Sequence, residues 1–180
     1  MLKLLSTLFL AGVLMTALFG QEKSNLSVSS TSFQDGRGLA AKFAMKAVDG
    51  GQNTSPQLSW KDAPQGTKVF AVTCIDIHPI AQKWVHWIVI NIPAGTTELS
   101  EGASPSKIPA GAKELENSFR NNGYGGPQPP KGSGVHKYVF TVYALSDAVS
   151  ADGFLSEDAF LKLVSGKILA KASITGTFSR

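Results

Sequence analysis

Three segments constrain the fold of this chain more than anything else in it: VFAVTCID (69–76), WVHWIVINIP (84–93) and KYVFTVYAL (137–145). Each is an apolar run rich in β-branched and aromatic residues, of strand length and bounded by polar or turn-forming residues. Side chains alternate across a strand with period two. In the second segment that rule places Trp84, His86, Ile88, Ile90 and Ile92 on one face and Val85, Trp87, Val89 and Asn91 on the other. Both faces are apolar, so the segment reads as a strand buried on both sides. A chain of 180 residues, 43% of them hydrophobic, suits one globular domain with a sizeable core.

Such a strand raises the question of why it carries His86. Two readings stand at this point: a hydrogen-bonded core histidine, or the floor of a site. The chain has two other histidines, His78 and His136, and each lies near a junction between one of the strong strands and a loop. If the strands at 69–76 and 84–92 pair antiparallel, Asp76 and His86 reach the same end of the sheet. A strand entering at His136 places a second imidazole beside them. Taken singly, Asp76 also suits a turn cap before Pro79, and His136 also suits solvated surface.

The remaining elements are weaker. Leu26 to Ser30, Leu39 to Phe43 and Leu58 to Trp60 are expected as short strands, and Ala172 to Phe178 as a half-buried one. SEDAFLKLVSGKIL, from Ser156, is expected as a helix, with Ser156 as cap, Glu157 and Asp158 at its positive end, and Phe160, Leu163 and Val164 on one face. The picture is mainly β with one or two helices near the C-terminus. NSFRNNGYGGPQPPKGSG (117–134) is too rich in Gly, Pro and Asn for either element, and loops of that length are often functional.

Residues 1–20 stand apart. Lys3 precedes an uncharged run of about 17 apolar and small residues that ends at Gly20 before QEKSN. That is the layout of a cleavable signal peptide, and it implies a periplasmic or secreted protein. The run is near the membrane-spanning limit, so an uncleaved anchor is the alternative. No cysteine closes the run, which argues against a lipid-anchored precursor. Cys74 is the only cysteine, so no intramolecular disulfide forms, and it reads as an apolar filler of its strand. The formal charge of +4 is spread without a basic run, so neither nucleic acid nor a membrane surface is indicated as a partner.

An aspartate with two histidines suits an anion. Imidazoles donate N–H bonds to oxyanions, a carboxylate fixes their tautomer, and the amides of a glycine-rich loop add donors. The same residue types ligate zinc, but their spacing matches no compact zinc motif. No G-x-S-x-G elbow is present, Gly132-Ser133-Gly134 being shorter and unspecific, and there is no P-loop or G-x-G-x-x-G. No cofactor is implied. Asn53-Thr54-Ser55 matches a glycosylation sequon, a pattern common by chance.

Four blocks in order then resemble one family. Ser55-Pro56-Gln57-Leu58-Ser59-Trp60 and Pro64-Gln65-Gly66-Thr67-Lys68 form the first two. Asp76 to Pro79, Trp84-Val85-His86-Trp87 and Asn91-Ile92-Pro93 resemble a D-P-D-x-P, W-x-H-W and N-I-P signature. Asn122 to Pro127, Pro129-Pro130, Gly132, His136, Tyr138 and Tyr143-Ala144-Leu145 complete the set. Together they resemble the phosphatidylethanolamine-binding (Raf kinase inhibitor-like) proteins, in particular the short bacterial branch.

The resemblance implies a two-sheet antiparallel β-sandwich with peripheral helices and a small anion pocket at one end. It assigns the pocket to Asp76, His86 and His136, lined by Tyr138, Pro130, Gly125 and Gly126. It implies binding of phosphate, phosphorylethanolamine or phosphomonoesters, no enzymatic reaction, a homodimer, and action through a protein partner such as a protease or kinase. An extracytoplasmic protease inhibitor or interaction module with a mostly structural pocket is the alternative, and a zinc-dependent phosphoester hydrolase a third. One departure stands out: the family's second aspartate and first proline in D-P-D-x-P are here His78 and Ile77. A histidine in place of an acid makes the mouth less negative and adds His78 to the ligand-binding candidates.

Overall fold

The computed structural model describes residues 25–180, so the expected signal peptide at 1–20 lies outside the described residues. The strands are β1 (Ser27–Ser29), β2 (Arg37–Gly38), β3 (Leu58–Lys61), β4 (Val69–Asp76), β5 (Trp84–Pro93), β6 (Glu98–Leu99), β7 (Lys113–Glu114), β8 (His136–Leu145) and β9 (Ile168–Phe178), with helix α1 at Glu157–Val164. They form a six-stranded sheet of order β2-β9-β8-β4-β5-β7 and a three-stranded sheet of order β1-β3-β6. The described residues are therefore mainly β, with two sheets and one α-helix, as the strand pattern predicts. Pairing is antiparallel except at the edge, where β2 runs parallel to β9 for two residues.

The strongest sequence segments occupy the middle of the large sheet because they are apolar on both faces. From β4, Phe70, Val72 and Cys74 join Leu58, Trp60 and Leu99 of the small sheet in one buried cluster. Ala71 and Ile75 face the other way, into a second cluster with Tyr143, Leu145, Phe160 and Val164. Helix α1 thus covers the face that the small sheet does not. Ser156 caps it by accepting the Ala159 amide hydrogen at 3.2 Å. Among the described residues, no helix is long and apolar enough to cross a membrane.

Four local expectations are corrected. Leu39 to Phe43 is not a strand: β2 ends at Gly38, and Ala41–Phe43 is a 3-10 turn. The α-helix stops at Val164, because Gly166 turns the backbone with φ of 75° and Ile168 already pairs with Leu145. Consequently β9 begins before Ala172. Strict alternation along β5 also fails, since that strand carries an extra residue in two places. Val72 faces Val89 whereas Phe70 faces Ile92, and Asn91 absorbs the second irregularity with φ of 58°. Its side chain bonds both the amide and the carbonyl of Val149.

Candidate functional site

Strand register assembles the site at one end of the large sheet. Asp76, the last residue of β4, faces Trp84 at the start of β5 and Tyr138 near the start of β8. His136 opens β8 opposite Phe178. His86 arrives by the other irregularity of β5: Cys74 faces Trp87 and Ile75 faces Val85, so His86 is the extra residue between them. A bulge of this kind turns two successive side chains to one face. Here Val85 joins the helix-side cluster, while Trp87 joins the inter-sheet core and His86 meets Tyr138, ring centroids 5.0 Å apart. His86 therefore does not share a face with Ile88 and Ile90.

A continuous hydrogen-bond chain runs through the acid and one imidazole. Asp76 Oδ2 and His136 Nδ1 are 2.6 Å apart, and both residues are buried. Asp76 Oδ1 accepts the His78 amide hydrogen at 2.9 Å, so the carboxylate also closes the turn that Pro79 enters. On the far side His136 Nε2 lies 2.9 Å from Ser133 Oγ, and that hydroxyl donates to the Pro130 carbonyl at 2.7 Å. A hydroxyl has one hydrogen. With it given to Pro130, Ser133 Oγ accepts from Nε2–H. His78 stacks on His136 with centroids 3.9 Å apart, and its Nδ1 accepts the Ile80 amide hydrogen at 3.3 Å.

His86 is held differently. Its Nδ1 lies 2.5 Å from the Gly125 carbonyl, which can only accept, so Nδ1 carries the hydrogen. Burial lowers its pKa to about 4, against a smaller opposing effect of that carbonyl. The ring is thus neutral near pH 7, with its lone pair on Nε2. The glycine loop serves this imidazole rather than a ligand. The Gly125 amide donates to the His86 carbonyl at 2.8 Å, and the Gly126 amide to Asn53 Oδ1 at 2.7 Å. The expectation that these amides are donors lining the pocket is corrected accordingly. Asn53, the sequon asparagine, also donates through Nδ2 to the Tyr124 carbonyl at 3.1 Å.

These groups border a cavity of about 350 Å³. Of the expected residues, Asp76, His86, His136, Tyr138 and Pro130 line it. His78 packs against His136 without contributing to the wall, and Gly125 and Gly126 lie outside it. Sequence reasoning missed Trp84, Phe119, Ile80 and Arg180. Phe119 reaches the wall because Asn117 organises the loop, accepting the Phe119 amide hydrogen at 2.9 Å and donating to the Gly123 carbonyl at the same distance. Its ring stands edge-on to both His86 and Trp84. Arg180 is anchored by its carbonyl, which accepts from the Gly132 amide at 3.0 Å. The position of Trp84 two residues before His86 was the one available signal.

One polar group in this wall is orphaned. Tyr138 is 1% exposed, and its hydroxyl makes no hydrogen bond of normal geometry, although the Asp76 carboxylate lies near enough to interact with it. Burial, followed by the neighbouring Asp76 carboxylate, pushes its pKa well above the usual phenol range, so it remains a donor. Among the described residues, no three His, Cys, Asp or Glu side chains converge as a metal site.

Comparison with known proteins fits this geometry. The family described as phosphatidylethanolamine-binding protein matches residues 29–179. The chain belongs to the phosphatidylethanolamine-binding protein family. Escherichia coli (strain K12) UPF0098 protein YbhB is 37% identical over 159 residues, covering 86% of this chain and 100% of that protein. The crystal structure of E. coli YbcL superposes with a TM-score of 0.80 at 35% identity, covering 86% of this chain and 98% of that one. A Mycobacterium tuberculosis (strain ATCC 25618 / H37Rv) protein named as a lipoprotein, LppC, is 34% identical over 157 residues, 85% of this chain and 72% of its own. In this member of the family the His78 departure thus sits behind the pocket wall, against His136.

Proposed function

We propose that the protein binds a small phosphate-bearing anion in the end cavity, such as phosphate, phosphorylethanolamine or a phosphomonoester. It acts by binding or modulating a partner rather than by catalysis, after export to the periplasm or beyond, and as a homodimer. The observation that carries the reading is the buried, unpartnered hydroxyl of Tyr138, a residue that lines the cavity together with the exposed Arg180. A buried donor left unpaired costs about 1–3 kcal/mol, which a ligand oxygen in the cavity recovers. Catalysis is disfavoured because Ser133, the one hydroxyl on the Asp76–His136 chain, has its hydrogen committed to Pro130.

The test is calorimetric titration of residues 21–180 with inorganic phosphate and phosphorylethanolamine, beside Tyr138→Phe and His86→Ala, with folding checked by circular dichroism. Saturable binding that folded variants lose is expected. A folded wild-type protein that binds neither anion sinks the reading.

One observation favours the second reading, an interaction module or protease inhibitor. Ile77, Ile80, Trp84 and Val135 are exposed between 39% and 60%, and each lies in the cavity wall or beside one of its residues. An apolar rim of this kind suits a protein surface. If it is the function, Ile80→Ser abolishes partner binding and Tyr138→Phe leaves it unchanged.

A further inference from the structure

The polar atoms of the cavity floor are not equivalent. Both Asp76 oxygens and both His136 nitrogens are engaged within the protein, at 2.6 Å to each other and 2.9 Å each to the His78 amide and Ser133 Oγ. Two atoms remain without a hydrogen bond of normal geometry among the described residues. One is the Tyr138 hydroxyl, which carries a hydrogen. The other is His86 Nε2, which carries a lone pair because Nδ1–H is committed to the Gly125 carbonyl. The two rings are 5.0 Å apart and both border the cavity. The floor therefore offers one donor beside one acceptor.

A fully deprotonated oxyanion has only acceptors and cannot satisfy His86. An edge made of one bare oxygen and one O–H satisfies both atoms. We propose that the Tyr138–His86 pair selects an oxyanion that retains a hydrogen, the P–O and P–OH edge of hydrogen phosphate or of a monoanionic phosphomonoester, over sulfate and dianionic monoesters. This inference rests on the reading of the cavity as an anion site.

The surroundings support it. Burial keeps His86 neutral down to about pH 4, so Nε2 is not a donor near neutrality. The charged or titratable groups around the pair are Asp76, His136 and Arg180, with His78 stacked behind His136. Arg180 attracts any anion and supplies affinity without discrimination. Rejection through a buried acceptor left unpaired is the stronger form of specificity, because the mismatched ligand gains nothing in exchange for desolvating it.

Inorganic phosphate keeps a P–OH throughout the neutral range, whereas a phosphomonoester loses its last hydrogen with a pKa of about 6. The protein is therefore titrated with inorganic phosphate, methyl phosphate and sulfate at pH 6 and pH 8. Phosphate is expected to bind at both values, and sulfate at neither. Methyl phosphate is expected to weaken by roughly 50-fold from pH 6 to pH 8, the fall in its monoanion fraction. Phosphate serves as the control for titration of the protein's own groups. Sulfate binding as phosphate does, or methyl phosphate binding as well at pH 8 as at pH 6, overturns the inference and leaves the anion site standing. Failure of all three to bind overturns the anion reading, and this inference with it.

Discussion

Asp76 Oδ2 and His136 Nδ1 lie 2.6 Å apart, across neighbouring strands, with both side chains almost wholly removed from water. Removing one partner of a buried pair strands the other, at about 3–5 kcal/mol. Asp76→Ala and His136→Ala are each expected to lose stability on that scale in urea unfolding. The double variant strands neither charge, so its loss is expected to fall short of the sum by at least about 1 kcal/mol. Simple additivity would mean that the contact contributes nothing specific.

His86 gives stability a pH dependence of known sign. Its folded pKa of about 4 lies below the ordinary histidine value, so between the two the unfolded chain binds more protons. Its contribution is therefore fully present above about pH 6.5 and is lost as pH falls toward 4, on the order of 3 kcal/mol in total. Urea midpoints measured from pH 4 to pH 7 are expected to fall with acid in the wild type and less steeply in His86→Phe. Equal slopes, or an imidazole that titrates near 6.5 by NMR, would contradict the tautomer and burial assigned to it.

The sequence was legible where local pattern and tertiary context agree. β4 has the bounds that its apolar run predicts, and β8 begins one residue earlier than expected, at His136, because central strands covered on both faces need apolar residues throughout. The gathering of Asp76, His86 and His136 at one end also followed from antiparallel pairing. What escaped depends on irregularities that composition does not mark. The irregularity that makes His86 an extra residue of its strand is invisible in WVHWIVINIP, and so is the φ of 58° at Asn91. Phe119 and Arg180 reach the cavity from a loop and from beyond the last strand, where no periodicity guides prediction. The glycine loop was misread for a related reason: its amides could face a ligand or the protein, and only the fold shows that they hold His86 and Asn53.

Gly126 tests that role of the loop. A Cβ there would stand 2.1 Å from the Phe43 carbonyl oxygen and 2.8 Å from the Ala44 carbonyl carbon, both backbone atoms with little room to yield. Gly126→Ala is expected to cost about 1–3 kcal/mol, the range for overpacking. It should also disturb the neighbouring Gly125 carbonyl, whose hydrogen bond holds the His86 pKa up, and so lower that pKa further. Gly38→Ala, with open space around the new methyl and no positive φ, is the control and is expected to stay within about 0.5 kcal/mol of wild type. A neutral Gly126→Ala would show that the segment at 43–44 gives way.

Ser133, His136 and Asp76 share the connectivity of a nucleophile, base and acid, with Oγ to Nε2 at 2.9 Å and Nδ1 to Oδ2 at 2.6 Å. The direction of the hydrogens argues against that role. The Ser133 hydroxyl donates to the Pro130 carbonyl at 2.7 Å, so Nε2 already carries a hydrogen and cannot take another. Ser133 Oγ is thus an acceptor that satisfies a buried imidazole. Ser133→Ala is expected to cost about 1–3 kcal/mol by leaving Nε2–H unpaired, and to spare phosphate binding, since the Tyr138 hydroxyl and Arg180 are untouched. A fluorophosphonate probe is expected to leave Ser133 unmodified by mass spectrometry. Labelling that Ser133→Ala and His136→Ala both abolish would instead identify a working nucleophile and move the site from binding to group transfer.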